Sequence, residues 1–172
     1  MLVLSSLEGE YLSDACIKVT HSLFSAGQVP GDGSVDAYYN LDNDLRSAAR
    51  AAGTPSGYKN EFTDLIGSTQ QVGYLTYKNL ESGKYAVDEC AAFCDSEKYC
   101  LGFNIYYERD PSMDPGAACA DPAPITNVKC SIYGYPVAAG SATNEGQYRY
   151  DFHVVIVGSN GKLRLSNLYA LC

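Results

Sequence analysis

Residues 86–108 read AVDECAAFCDSEKYCLGFNIYYE, and this stretch changes period partway along. Val87, Cys90 or Ala91, and Cys94 recur at helical spacing, so a short helix over 86–97 carries both cysteines on its core-facing stripe. Two cysteines on one helix face point the same way, and each is expected to find its partner on a different strand. In CLGFNIYYE (100–108), Phe103, Ile105 and Tyr107 alternate with Asn104, Tyr106 and Glu108, the signature of a strand. NVKCSIYG (127–134) repeats that alternation, with Val128, Cys130 and Ile132 inward.

Two further strands are expected, over Gln71–Leu80 and Tyr148–Val157, the latter stopped by GSNG at 158–161. In the first, Val72, Tyr74 and Thr76 fall on one face, with Gly73, Leu75 and Tyr77 on the other. Arg109–Pro124 holds four of the seven prolines and reads as an ordered loop pinned by Cys119. Upstream, residues 1–26 carry a helical pattern through Leu12, Cys16, Val19, Leu23 and Phe24, and QVPGDGS (28–34) is turn-rich. Asp42 is placed to cap a short helix through Leu45, Ala48, Ala49 and Ala52, and Thr54–Asp64 reads as loop. The sum is an α+β fold, a twisted antiparallel sheet crossed by one helix, with a mainly helical N-terminal extension. The expected division is an extension over 1–70, a disulfide-stapled module over 71–158 and an irregular tail over 159–172.

Composition narrows the function classes. The 172 residues carry 12 basic and 20 acidic side chains, a net charge of −8, with no basic cluster, which argues against nucleic acid and anionic membrane surfaces as partners. No run approaches the length of a membrane-spanning helix, so no membrane insertion is expected. Five of the seven cysteines crowd into residues 90–130. Such density is a disulfide framework in an oxidising compartment or a metal site in a reducing one. The C-x3-C and C-x5-C spacings differ from zinc knuckles, and His21 and His153 are the only histidines, so disulfides and a secreted, extracellular location are expected. The opening MLVLSSLEGEYL shows neither a basic n-region nor a long apolar h-region.

The run Cys90-x3-Cys94-x5-Cys100-x-Gly102-Phe103, with Lys129-Cys130-Ser131-Ile132-Tyr133 downstream, resembles the PAN/apple family. That resemblance implies a helix tied to a sheet by nested bridges, Cys90–Cys130 outside and Cys94–Cys100 inside. FNIYYERDPS (103–112), ATNEGQYRYDF (142–152) and VVIVGSNG (154–161) look like secreted ascomycete proteins with apple-like modules, in which the chain often continues well past GSNG, whereas GKLRLSNLYALC ends here at Cys172. A bridge between Cys16 and Cys119 would use two of the remaining cysteines. Modules of this family bind proteins or glycans, so the resemblance implies a non-catalytic recognition module with a glycan or an extracellular protein as its partner.

Candidate site residues follow from the strands. Tyr106, Tyr107, Tyr133, Tyr135, Tyr148 and Tyr150 come from strands or strand ends expected to be neighbours, and aromatic rings stack on sugar faces. Asn104, Glu108 and Arg149 would supply hydrogen bonds, and Glu108-Arg109-Asp110 would form a ligand-contacting rim or a salt-bridged strand exit. Tyr106, Glu108, Arg109, Tyr133, Tyr148 and Arg149 are therefore the candidate ligand contacts. Cross-strand packing is the competing role for every one of the tyrosines. His153 lacks an evident nucleophile or orienting partner, and Ser159-Asn160-Gly161 lacks a phosphate-loop context, so neither catalysis nor a cofactor is expected. A structural protein of the cell surface is the alternative role, and a hydrolase using Glu108 or Asp110 ranks last.

Overall fold

The computed structural model describes residues 27–165. Its elements run α1 (Val35–Tyr39), α2 (Asp44–Ala51), β1 (Tyr58–Leu65), β2 (Ser68–Thr69), β3 (Tyr74–Asn79), α3 (Val87–Ser96), β4 (Gly102–Pro111), β5 (Pro124–Tyr133), β6 (Ala142–Asn144), β7 (Gly146–Arg149) and β8 (Phe152–Arg164). The main sheet is antiparallel in the order β1-β8-β4-β5-β3, with β7 also on β8, while β2 and β6 form a separate pair. The chain is thus α+β.

Helix α3 packs against the sheet, with Cys90, Ala91 and Cys94 of its expected core-facing stripe buried. Cys90 bonds to Cys130 on β5, and Cys94 bonds to Cys100 just before β4. The expected Cys16–Cys119 bridge has one end at Cys16, outside the described residues. Phe103, Ile105 and Tyr107 of β4, Val128, Cys130 and Ile132 of β5, and Val155 and Val157 of β8 form one core with α3.

Several expectations need correction. Tyr58–Leu65 is a strand on β8, although all of it but Leu65 falls in the stretch read as loop. Its polar composition fits an edge position, where only Tyr58 and Phe62 need burial. The first 70 residues are not a helical appendage in their described part, because Tyr38, Leu45, Ala49 and Tyr58 share the core with α3. The cap of α2 is Asn43, whose side chain accepts from Arg46 N, one position beyond the expected Asp42. Arg109–Pro111 and Pro124 extend the strand pair, which shortens the expected proline loop.

The largest departures are at β8. Tyr148–Val157 is not one strand, because Tyr150 takes a φ of 54° and the chain reverses between Arg149 and Phe152. Nor does GSNG end the strand, since Ser159–Arg164, expected in an irregular tail, continue it. Ile105 pairs with Asn160 and Tyr107 with Val157, so Gly158 and Ser159 together oppose Tyr106. Gly158, at φ 60°, makes this a bulge of the type that requires glycine. Gly161 serves another need, because a Cβ there would clash with the edge of the Phe62 ring.

Candidate functional site

The sheet face opposite α3 carries Asn104, Tyr106 and Glu108 from β4, and Lys129, Ser131 and Tyr133 from β5. Ordinary alternation puts them there. In β3 alternation fails usefully: Tyr74 pairs with Tyr133, Thr76 with Ile132 and Tyr77 with Ser131, a slip of one residue. The slip brings Tyr74 and Tyr77 to the same face, although a regular strand separates them.

These strands floor a cleft of about 440 Å³, walled by Ser68, Thr69, Gln70, Gln71 and Asn144 of the β2–β6 lobe. Four tyrosines line it: Tyr74, Tyr77, Tyr106 and Tyr133. Asn104 fixes the lobe to the sheet, since its Oδ1 accepts from Thr69 N at 2.8 Å while its Nδ2 donates to Ser159 Oγ at 2.8 Å. Tyr133 OH donates to Thr69 O at 2.7 Å, Tyr106 OH shares a hydrogen bond with Ser131 Oγ at 3.2 Å, and Asn144 Nδ2 donates to Ser68 Oγ. Thr69 Oγ1 has no partner. Tyr74 packs edge-on against Tyr133 at 5.9 Å, and the Lys129 ammonium lies 5.5 Å from the Tyr77 ring centre.

Beside the cleft, farther along the same sheet face, lies a charged cluster. Lys129 Nζ donates to Glu108 and sits 3.3 Å from Asp110 Oδ2, which also accepts from Asn127 Nδ2 at 2.6 Å. Burial, then the nearby Asp110 carboxylate, pushes Glu108 up to about 7 against the pull of Lys129. Burial alone would lower Lys129, but the Glu108 and Asp110 carboxylates outweigh it and hold the ammonium charged. Burial, then Glu108, pushes Tyr106 up to about 12, and burial also raises Tyr133. The cleft therefore presents phenols, hydroxyls and amides, and one ammonium already engaged by Glu108 and Asp110.

Of the expected contacts, the structure brings Tyr106 and Tyr133 into this cleft, with Glu108 beside it and bonded to the lining Lys129. Arg109 goes elsewhere. Its guanidinium is buried, donates to Gly33 O and His153 O, and lies over the Phe152 ring at 4.1 Å. Tyr148 and Arg149 sit on β7, beyond β8 and at the opposite side of the sheet from β3. There Tyr148 stacks on His153 at 4.2 Å, and Arg149 pairs with Asp114 at 2.6 Å. Tyr107 belongs to the core, packed against Tyr85. Sequence reading missed Tyr74, Tyr77 and the β2–β6 wall. The tyrosines were visible in the alternating run, but the slip that unites them was not.

Among the described residues no group of three or more His, Cys, Asp or Glu side chains could hold a metal ion, and no helix is long and apolar enough to cross a membrane. Searches against protein-family models, curated proteins and solved structures find no match to the chain.

Proposed function

We propose that this chain is an extracellular, non-catalytic recognition module of the PAN/apple type that binds a glycan in the tyrosine cleft. The observation that carries the reading is the lining itself. Half-exposed Tyr74 and Tyr77 offer rings for sugar faces, and the wall offers hydroxyl and amide groups of the kind that orient sugar hydroxyls. The bridged helix supports an oxidising compartment, and the nested pairing of Cys90–Cys130 with Cys94–Cys100 supports the family reading.

A glycan array probed with the folded chain tests the proposal. Saturable binding to neutral or amino sugars is expected, weakened about tenfold by Tyr77→Ala, the loss of one aromatic stacking partner. Absence of binding to every glycan by folded protein overturns the reading in favour of a structural or protein-binding role at the cell surface. The hydrolase reading has one observation in its favour, the raised Glu108 carboxyl. Against it, Glu108 is engaged by Lys129 and does not line the cleft. Turnover of a bound glycan that Glu108→Gln abolishes would reinstate it.

A further inference from the structure

A second cleft of about 570 Å³ lies beside the first, lined by Tyr77, Lys78, Asn79, Glu81 and Glu89. Tyr77 lines both. The reason is topological: β3 ends the sheet order, and among the described residues no strand pairs with its outer side. Among the described residues, a ligand leaving the first cleft over Tyr77 therefore meets no strand before it reaches the space between β3 and the start of α3. The Tyr77 ring between the clefts is 52% exposed. It rests against Lys129, which its two carboxylate contacts hold in place.

Charge is offset in both spaces. The first has Lys129 as its single charged lining group among the described residues, and that charge is balanced by Glu108 and Asp110. In the second, the Lys78 ammonium is 3.3 Å from Glu89. Both lining cations are thus already engaged by carboxylates, which disfavours uronates, sulfated chains and phosphates and suits hydroxyl and amide groups.

Resting on the reading of the first cleft as a glycan site, we infer that the ligand is a linear, uncharged oligosaccharide that crosses Tyr77 and occupies both clefts. A monosaccharide or disaccharide fills only the first. A longer chain gains contacts with Asn79, Glu81 and Glu89, so affinity climbs with length and then levels off.

Calorimetric titration with β-1,4-linked glucose and N-acetylglucosamine oligomers of one to six units tests this. Affinity is expected to rise about tenfold or more from dimer to hexamer, the gain of a second set of contacts. Asn79→Ala and Glu89→Gln should each weaken the hexamer severalfold more than the dimer, with circular dichroism confirming the fold. Equal affinity for dimer and hexamer, with both variants silent, overturns the two-cleft ligand and leaves the single-cleft reading standing. Binding of no oligomer by folded wild-type protein overturns both.

Discussion

Gly158 shows how one residue sets the chemistry of both faces of this sheet. The bulge it makes restores register, so that Val155 and Val157 face the core while Asn160 and Lys162 come to the same side farther along. Alanine there would meet both the positive φ and Cβ contacts of 3.0 Å with Ala49 and Tyr107. Asn160 uses its place fully, accepting from Asp64 N and donating to Ala49 O, each at 2.8 Å. Glu108 shows the opposite situation, a group held at a cost. Its folded pKa of about 7 lies above its ordinary value of 4.5, so the folded state binds a proton more tightly than the unfolded chain. Its contribution to stability is therefore complete below about pH 4.5 and is lost as pH rises to about 7. Glu108→Gln should flatten that part of the stability profile, by on the order of 1–3 kcal/mol across the window. Denaturant melts at intervals from pH 4 to 8 measure it. Identical slopes for variant and wild type would show that Glu108 ionises normally.

Helix α3 is an element that depends on its bridges. It has ten residues and no side-chain hydrogen bond at its N-cap, where Ala86 stands, and helices this short are marginal on their own. Asp88 and Glu89 in its first turn give a little help through the helix dipole. The bridges do more. Cys90–Cys130 closes a separation of 40 residues and Cys94–Cys100 one of 6. Chain entropy in the unfolded state makes the longer closure worth about 4 kcal/mol and the shorter about 2 kcal/mol. Replacing Cys90 and Cys130 by serine should therefore destabilise the chain more than replacing Cys94 and Cys100, as read by chemical denaturation. The reverse order would mean that the inner bridge, at the end of the helix, holds the fold. Strand β3 is the other telling element. Its one-residue slip costs a regular ladder and places Tyr74 beside Tyr77, which makes the cleft aromatic on two sides.

At the scale of the molecule, β4 is buried along nearly its whole length, with α1, α2 and α3 on one side and the β2–β6 lobe on part of the other. The cleft exists because that lobe covers the face incompletely. The same architecture argues that residues 71–158 are not autonomous. A fragment of that extent lacks Tyr38, Leu45, Ala49, Tyr58 and Phe62, and also the half of β8 that pairs with β1. It should give no cooperative thermal transition in near-ultraviolet circular dichroism, whereas a sharp transition would establish the shorter module. Much of this was legible in sequence: the helix, strands β4 and β5, and a core face bearing Cys90, Cys94 and Cys130 follow from local periodicity, which the backbone imposes wherever it occurs. The bridge partners came from a family resemblance. What stayed hidden were features with no local signal. Strand β1 is polar because it lies at an edge, the β7–β8 reversal has tyrosine where a turn favours glycine, and GSNG looks like a turn because bulge and turn draw on the same residue. The sequence by itself determined the elements and which of their faces turn inward, since period and hydrophobicity are properties of neighbours along the chain. Only the tertiary structure decided which tyrosines share a surface, because strand order, the slip in β3 and the docking of β2 depend on pairings between residues far apart in sequence.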